Sequence, residues 1–195
     1  MGKIFYIMGK SSSGKDTIYE RLLEDEVLRL RPIVLYTTRP IRMGEQEGRE
    51  YHFVTPERLE EWKREGKSIE LRDYRTVHGI WSYFTADDGQ VDLDSSSYLG
   101  IGTLESYNRM REYFGEGVMC PIYIEVEDGE RLKRAIKREE KQEEPRYGEL
   151  CRRFLADAED FSEENIQKAG IGKRFRNEVL EDCLEEIREY LYELR

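Results

Sequence analysis

One short loop constrains this chain more than any other feature. Residues 9–15 read Gly-Lys-Ser-Ser-Ser-Gly-Lys, between an apolar, strand-like run at 3–8 and a segment with helical spacing of apolar residues that starts at Asp16. Two glycines with four residues between them, a lysine and then a helix form the pattern of a phosphate-binding P-loop. In such a loop, backbone N–H groups and a helix N-terminus converge on phosphate oxygens. The chain is therefore expected to fold around a bound phosphate.

Each position of the loop has an expected role. The glycines permit close approach of the backbone, and the lysine would place its charge between the β- and γ-phosphates of a nucleotide. Aspartate stands where Ser or Thr usually holds Mg²⁺, so the metal could be held by Asp16, by Thr17 or through water. The alternative is a Ser/Gly loop that only caps a helix. The expected ATP-binding residues here are Gly9, Ser11, Ser12, Ser13, Gly14, Lys15, Asp16 and Thr17.

Strand-like and helix-like segments alternate along the chain, which predicts an α/β fold with a parallel sheet between helices. Two segments, 39–85 and 129–161, interrupt this rhythm and are expected to be mobile lobes. The first should contain a helix capped by Thr55 and a small antiparallel strand pair. The remaining residues, 1–38, 86–128 and 162–195, would form the core. Core strands are expected at 3–8, 33–38, 98–102, 119–125 and 173–177, with helices from Asp16 through about Leu30, over 104–114 and over 179–191.

Composition excludes several classes of function. The 195 residues carry 32 Lys+Arg against 42 Asp+Glu, a net charge of −10. This acidity argues against nucleic-acid or anionic-membrane binding, and no apolar run reaches the ~18 residues of a membrane span. Three widely spaced cysteines indicate neither a disulfide framework nor a zinc site. We therefore expect a cytoplasmic protein with no nucleic-acid or membrane partner, and the sequence identifies no protein partner.

A second group of polar residues follows the strand expected at 33–38. Residues 37–54 read Thr-Thr-Arg-Pro-Ile-Arg-Met-Gly-Glu-Gln-Glu-Gly-Arg-Glu-Tyr-His-Phe-Val. Arg39 and Arg42 could clamp a phosphate with their planar, forked donors. Tyr51 and Tyr83 could add neutral hydroxyl donors. The alternative is that both arginines only form surface salt bridges with neighbouring glutamates.

This stretch resembles the guanylate kinase family, whose pattern is T-T-R-x-x-R-x-G-E-x-x-G-x-x-Y-x-F. The resemblance continues through Gly-Lys-Ser-Ile-Glu at 66–70 and His-Gly at 78–79. It implies a three-layer P-loop NTPase core with an acceptor-binding lobe at 39–85 and a helical lid at 129–161. It also implies ATP-dependent phosphorylation of a nucleoside monophosphate, with GMP expected and Mg²⁺ bound with ATP. Glu70 would accept hydrogen bonds from guanine, and Thr85 would complete the acceptor site.

The proposed lid is strongly basic, since residues 131–153 contain nine Lys/Arg against five Glu. The resemblance implies that arginines of this lid touch the transferring phosphoryl, where charge spreads over the equatorial oxygens. Arg138 and either Arg152 or Arg153 occupy the corresponding positions. Asn177 resembles a family asparagine near the adenine. The alternatives are a solvated helical pair and an ordinary turn residue.

Several departures from the family pattern leave the acceptor open. Leu35 replaces a serine near the base, and residues 71–77 are additional. The family's Asp before the next core helix is missing from the run 99–103. A related kinase for another phosphorylated acceptor therefore stays open, as does a non-catalytic guanylate-kinase-like binding module, although such modules typically lose the phosphate loop. Tyr74 and Trp81 are expected to pack the lobe, and the candidates to replace the missing carboxylate are Asp87, Asp88, Asp92 and Asp94.

Overall fold

Strands and helices alternate along the chain and build two sheets. The computed structural model describes residues 2–76 and 79–194, and within these ranges no helix is both long and apolar enough to span a membrane. The strands are β1 (Ile4–Met8), β2 (Arg31–Pro32), β3 (Tyr36–Thr37), β4 (His52–Phe53), β5 (Ser68–Thr76), β6 (Gly79–Ala86), β7 (Tyr98–Gly102), β8 (Met119–Glu125) and β9 (Arg174–Arg176). The helices are α1 (Lys15–Leu23), α2 (Pro56–Arg64), α3 (Leu104–Phe114), α4 (Asp128–Glu139), α5 (Tyr147–Asp160), α6 (Glu163–Lys168) and α7 (Leu180–Glu193).

The central sheet is parallel, with strand order β2-β7-β1-β8-β9. Its middle strand β1 is buried on both faces, as expected for a sheet covered by helices. Phe5 and Ile7 pack on one side with residues of α1 and α7. Tyr6 and Met8 pack on the other side with residues of α3 and α6. The result is the expected three-layer α/β core, with the P-loop at the carboxyl end of β1.

A second, smaller sheet has the order β4-β3-β6-β5 and carries α2. The helix begins as predicted, since Thr55 Oγ1 accepts a hydrogen bond from the Arg58 N–H at 3.3 Å and Pro56 occupies the first helical position. A small core of aromatic and aliphatic side chains joins helix and sheet. Its buried members are Tyr36, Leu59, Trp62, Phe84 and Ala86.

The predicted core strand at 33–38 is wrong as a single element. Only Arg31–Pro32 pairs with β7, whereas Tyr36–Thr37 pairs with β4 and β6 in the second sheet. The side-chain amide of Gln90 bonds both backbone groups of Val34, at 2.9 Å from its N–H and 3.3 Å from its carbonyl oxygen. A side chain therefore satisfies the backbone where the chain leaves one sheet for the other.

The other predicted elements differ mainly at their ends. Helix α1 stops at Leu23, short of the expected Leu30, because the Asp25 carboxylate accepts hydrogen bonds from the backbone N–H groups of Val27 and Leu28. Such local bonds to the backbone compete with helix continuation. Helix α3 has the predicted bounds and a Thr103–Ser106 capping box. The short helix α6 was not predicted.

Candidate active site

The phosphate loop is built by close backbone approach. Gly14 has φ +85° and Ser12 has φ +63°, so the chain turns through the left-handed region twice. A Cβ atom on Gly9 would lie 2.6 Å from the Ile124 carbonyl oxygen, and one on Gly14 would lie 2.4 Å from Asn177 Nδ2. Both glycines of the motif are therefore required by sterics.

The backbone N–H groups at the end of this loop belong to the first turn of helix α1. Lys15 is its first residue, and Lys15 Nζ lies 3.7 Å from Asp16 Oδ2. The Asp16 side chain is 78% exposed, and Thr17 is exposed as well. Within the described ranges, the buried hydroxyl oxygens of Ser12 and Ser13 have no hydrogen-bond partner. The loop therefore holds a cation, a helix N-terminus and uncommitted hydroxyls in one place.

Asn177 lies against the loop, at the end of β9. Its side-chain Nδ2 donates to the Ser13 carbonyl oxygen at 2.8 Å, and Arg134 Nη2 donates to the Asn177 carbonyl oxygen at 3.1 Å. The residue is 4% exposed. In this geometry its amide bonds the loop, and the adenine contact that the resemblance implies stays a prediction.

One of the two alternative lid arginines faces the loop. Arg138 and Arg153 line a narrow space of about 10 Å³ together with Ser11 and Ser12. Arg152 instead donates two hydrogen bonds, at 2.8 and 2.7 Å, to exposed Glu149 on its own helix. Arg138 and Arg153 thus lie beside the loop, and Arg153 Nε also lies 3.7 Å from Glu149 Oε1.

Arg131 of α4 and Asp157 of α5 tie the lid to the loop, a contact that no sequence pattern predicted. Arg131 is 1% exposed and donates to the Ser11 carbonyl oxygen at 3.0 Å. Asp157 accepts from the Ser11 N–H at 2.7 Å, and Arg131 Nη1 lies 3.5 Å from the same carboxylate. Both backbone groups of Ser11 are therefore held by side chains of α4 and α5.

The second cationic group lies in the smaller sheet. Arg39 is 4% exposed and donates two hydrogen bonds to Glu45, at 2.7 and 2.6 Å. This pair lowers the pKa of Glu45 to about 2. The hydrogen bond to Glu45, and a smaller contribution from Tyr83, raise the pKa of Arg39 above its ordinary value. Arg39 Nε is buried and has no partner among the described residues.

Two tyrosines expected at the acceptor site accompany Arg39. The Arg39 guanidinium lies 5.1 Å from the centre of the Tyr51 ring, and the rings of Tyr51 and Tyr83 are 5.5 Å apart. Arg42 is exposed, and its backbone N–H donates to Glu45 at 2.8 Å. The alternative of a salt bridge with a neighbouring glutamate is therefore realised for Arg39, whose Nε is buried beside Tyr51 and Tyr83.

The glutamate expected to bind a base is not open to solvent. The Glu70 side chain is 1% exposed, and its carboxylate accepts from Arg72 Nε at 3.1 Å, from Arg72 Nη2 at 3.4 Å and from Thr85 Oγ1 at 3.2 Å. Burial raises the pKa of Glu70 above its ordinary value, and the neighbouring arginine opposes that shift. Arg72 thus covers the residue that the resemblance places against guanine.

A cavity of about 300 Å³ lies beside these groups. Its walls are Leu35, Tyr51, Arg72, Tyr74 and Tyr83. Tyr74 is 48% exposed and meets Tyr83 edge-on at 5.5 Å between ring centres. The lobe-packing role expected for Tyr74 is therefore incomplete, because its ring forms a wall of this cavity.

The missing strand carboxylate has a steric explanation. A Cβ atom on Gly102 would lie 2.3 Å from Tyr6 Oη and 2.5 Å from Ser106 Oγ, so these two bonded hydroxyls fill the space of a side chain. Candidate replacements are engaged elsewhere: Asp87 accepts from Tyr113 and Asp88 from Tyr36. His78, part of the quoted resemblance, lies outside the described residues.

Comparison with known proteins finds similarity to guanylate kinases. A sequence model described as guanylate kinase matches residues 1–86. The curated guanylate kinase of Porphyromonas gingivalis is 27% identical over 191 residues, covering 96% of this chain and 95% of the relative. That of Neisseria gonorrhoeae is 38% identical over 128 residues, covering 63% of this chain and 60% of the relative. The chain is thus similar to guanylate kinases over nearly its whole length, and the family model matches its first 86 residues.

A solved structure shows the fold of the family over the whole chain. The crystal structure of guanylate kinase from Anaplasma phagocytophilum matches with a TM-score of 0.66 at 22% identity, covering 98% of this chain and 85% of that one. The architecture is therefore that of a P-loop NTPase. The similarity beyond residue 86 includes α4, α5 and β9, the elements that carry Arg138, Arg153 and Asn177.

Proposed function

We propose that this chain transfers the γ-phosphoryl group of ATP to GMP, forming ADP and GDP. Relatives that span nearly all of the chain are named guanylate kinase. The observation that carries the proposal is that Arg138 and Arg153 of the lid line the same narrow space as Ser11 and Ser12 of an intact phosphate loop. A binding module without catalysis would have no need for lid cations at this position.

The proposed chemistry is an in-line displacement without a covalent enzyme intermediate. A phosphate oxygen of GMP attacks the γ-phosphorus, and the bond from that phosphorus to the bridging oxygen of ADP breaks. Lys15 and the N–H groups at the start of α1 hold the phosphates of ATP. The lid arginines neutralise charge that spreads over the equatorial oxygens. Arg39, Arg42, Tyr51 and Tyr83 hold the phosphate of GMP in line.

The residues at the loop fit a magnesium ion shared with ATP. Asp16 offers an exposed carboxylate beside Lys15, and the hydroxyl of Thr17 follows it. Among the described residues no cluster of three or more metal-ligating side chains exists. Mg²⁺ is commonly bound by one or two carboxylates together with substrate phosphates, and Asp16 and Thr17 would supply the protein part. The ion neutralises phosphate charge when it is bound.

The proposed chemistry assigns a role to each segment of the chain. Residues 1–38, 86–128 and 162–195 serve as the nucleotide-binding core, 39–85 as the acceptor lobe and 129–161 as the lid. Tyr36 and Thr37 pair within the acceptor sheet, which moves the first boundary toward residue 35. The cytoplasmic location expected from the sequence stays a prediction.

A panel of acceptors tests the proposed function. Formation of ADP and of the phosphorylated acceptor from Mg–ATP is measured with GMP, dGMP, AMP, UMP, CMP and phosphorylated sugars as acceptors. We expect GMP and dGMP to be the best acceptors. Phosphorylation of a sugar phosphate with no turnover of any nucleotide would overturn the assignment while leaving the phosphate loop in use. No turnover with any acceptor, despite measurable ATP binding, would favour a binding module.

A further inference from the structure

Strands β5 and β6, here called the acceptor hairpin, line one cleft together with the lid helix α5. The volume of this cleft is about 690 Å³, and its lining includes residues 71–74 of β5 and Asp160, the last residue of α5. Residues of α3 and α6 complete the lining. Tyr74 therefore belongs to a wall of the acceptor lobe that shares a cleft with the lid.

The register of the acceptor hairpin places aromatic rings on one face. Tyr74 is paired with Trp81 and Arg72 with Tyr83, and side chains two residues apart on a strand share a face. The ring of Tyr74 meets that of Tyr83 edge-on, yet Tyr74 is still 48% exposed. Tyr74 also lies in the stretch 71–77 that is additional to the family pattern. Much of its ring is therefore accessible to a further partner.

Arg152 extends from α5 with most of its side chain in solvent. The side chain is 66% exposed, and its hydrogen bonds from Nε and Nη2 both go to Glu149, about one turn earlier on the helix. A guanidinium carries five N–H donors, so donors remain for a second partner. Exposed pairs on one helix are weak, and Arg152 can therefore leave Glu149 for a better-placed partner.

Arg152 and Tyr74 lie close to each other although they belong to different lobes. The hydrogen bond and the charge of Glu149 raise the pKa of Arg152 above its ordinary value, and Tyr74 adds a contribution of the same sign. Such effects between exposed groups are screened over about 10 Å at 0.1 M salt. The acceptor hairpin and the lid therefore approach each other at these two side chains.

We propose that Tyr74 and Arg152 form a latch between the acceptor hairpin and the lid, in which the Arg152 guanidinium packs on the Tyr74 ring when both substrates are bound. The inference rests on the proposed function, since the latch serves a reaction in which an acceptor in the lobe meets ATP beneath the lid. Arginine over an aromatic ring is a favourable pair that strengthens as water is excluded. Tyr74 and Arg152 are positioning residues, because they hold the lobes and touch no reacting atom.

The latch gives two neighbouring arginines of α5 different tasks. Consecutive residues on a helix point about 100° apart. Arg153 lines the narrow space beside Ser11 and Ser12, whereas Arg152 is oriented toward its exposed partner Glu149. Arg153 then serves the phosphoryl group, and Arg152 serves closure of the lid on the acceptor hairpin.

A contact of this kind couples the two substrate sites. Because the latch forms between the acceptor lobe and the lid, binding of either substrate favours binding of the other, and the two effects are equal. We expect GMP to bind about 2- to 30-fold more tightly in the presence of Mg²⁺ and a non-hydrolysable ATP analogue, the range of a cation–π pair from exposed to desolvated.

The first test measures the affinity for GMP with and without that analogue by titration calorimetry. Tyr74→Ala and Arg152→Met should each abolish the coupling, and the double variant should lose no more than either single variant. The affinities for GMP alone and for the analogue alone should not change. Weaker binding of GMP alone by Tyr74→Ala, or of the analogue alone by Arg152→Met, would mean direct substrate contact and overturn the latch. Coupling that survives in both variants would overturn it as well.

Matched control variants remove similar side chains outside the cleft. Tyr192 is 49% exposed on α7, and Arg21 of α1 donates to exposed Glu181. Tyr192→Ala and Arg21→Met should therefore keep the wild-type coupling between GMP and the analogue. Loss of coupling in these variants would show that any exposed tyrosine or arginine has the same effect, which contradicts the latch.

The second test detects the contact itself and needs no turnover. Tyr74→Cys and Arg152→Cys are combined in a Cys151→Ser background, where the two remaining cysteines, Cys120 and Cys183, are buried. Disulfide formation under mild oxidation is followed by mass spectrometry. We expect the cross-link to form, and to form faster when GMP and the Mg–ATP analogue are present together. No cross-link under either condition would overturn the proposal.

A shift of one residue along β5 controls for nonspecific cross-linking. Arg75 follows Tyr74 and is paired with Ile80, so it lies on the opposite face of the acceptor hairpin. Arg75→Cys combined with Arg152→Cys in the same background should cross-link more slowly than the pair at 74 and 152. Equal rates would contradict a contact through the face that carries Tyr74.

The two proposals fail in different ways. If GMP is phosphorylated but its binding shows no coupling to the ATP analogue, the proposed function stands and the latch is wrong. If the protein neither binds nor phosphorylates GMP, the proposed function is wrong. Cross-linking with the analogue alone then still decides whether the acceptor hairpin meets the lid, since it depends on no particular acceptor.

Discussion

Lys15 and Lys10 lie in the same loop and differ in what they face. Lys10 Nζ is 3.5 Å from Asp128, whereas Lys15 begins α1 with its nearest carboxylate at 3.7 Å on the adjacent, exposed Asp16. We predict that Lys15→Met lowers kcat at least about 10²- to 10³-fold, because a phosphate-facing cation is lost. Lys10→Met removes the same charge and should lower kcat far less. Steady-state turnover of both variants, with thermal melts as a check on folding, decides between these outcomes.

Glu45 gives the acceptor lobe a defined pH dependence. Its pKa falls from an ordinary 4.5 to about 2 when folded, so its pairing with Arg39 stabilises the fold fully above about pH 4.5 and is lost as the pH falls through about 2. We predict that Glu45→Gln destabilises the protein at pH 7 and that the difference from wild type shrinks steadily below pH 4.5. Urea unfolding at several pH values measures it. Glu61→Gln, which affects an exposed pair with Arg58, should show a smaller difference, and a deficit for Glu45→Gln that stays constant from pH 7 to 3 would contradict the assignment.

Single residues show which features of the site could be predicted from the sequence and which could not. The spacing of Gly9, Gly14 and Lys15 predicted a loop that the structure contains, because local backbone geometry imposes that spacing. Arg72 carried no signal, because its pairing with Glu70, two residues earlier on the same face of β5, depends on the burial of that carboxylate. Gly102 likewise looked like a lost aspartate, and only the position of Tyr6 explains the loss.

At the scale of elements, α4 and α5 act on the loop through Arg131 and Asp157, which lie 3.5 Å apart, and Arg131 also donates to Asp128 on its own helix at 3.1 and 2.8 Å. Removing one member of a buried pair leaves the other charge uncompensated. We predict that Arg131→Met lowers the free energy of unfolding by about 3 kcal/mol and lowers kcat/KM for ATP about tenfold or more through misplacement of Ser11. Asp157→Asn should also lower kcat/KM for ATP. Urea unfolding and ATP kinetics of both single variants and the double variant measure the coupling.

An exposed ion pair supplies the control for that experiment. Arg21 donates two hydrogen bonds to Glu181 at 3.0 and 3.1 Å, between α1 and α7, with both side chains exposed. Arg21→Met should lower the free energy of unfolding by less than about 1 kcal/mol and leave KM for ATP unchanged. Strictly additive effects of Arg131→Met and Asp157→Asn would mean that the two residues act on the loop independently.

Most elements were predictable because their signals are local. Thr55 followed by Pro56 predicted the start of α2, and helical spacing predicted α3 and α7. The division of 33–38 between two sheets was not predictable, because it depends on Gln90, more than fifty residues further along the chain. Helix α6 is six residues long, too short for periodicity to reveal.

For the molecule as a whole, net charge and local charge have opposite signs. The chain carries −10, yet residues 29–44 hold four arginines and no acidic residue, and 131–153 hold nine basic residues against five acidic ones. Since charges are screened over about 10 Å at 0.1 M salt, the nearby arginines should govern binding. We predict that KM for GMP and ATP rises with KCl while kcat changes little. Initial rates from low to high salt, with sucrose at matched osmolarity as control, test this, and a falling KM would show that the net charge dominates.

The position of β1 in the central sheet has a consequence for biosynthesis. The strand that leads into the phosphate loop is made first, but its partners β7 and β8 follow roughly a hundred residues later, and Asn177, which bonds the loop at Ser13, lies near the end of the chain. Loop closure over such separations slows folding. A nascent chain on the ribosome therefore carries the complete phosphate-loop motif long before β7, β8 and Asn177, which pack against it, have emerged from the exit tunnel.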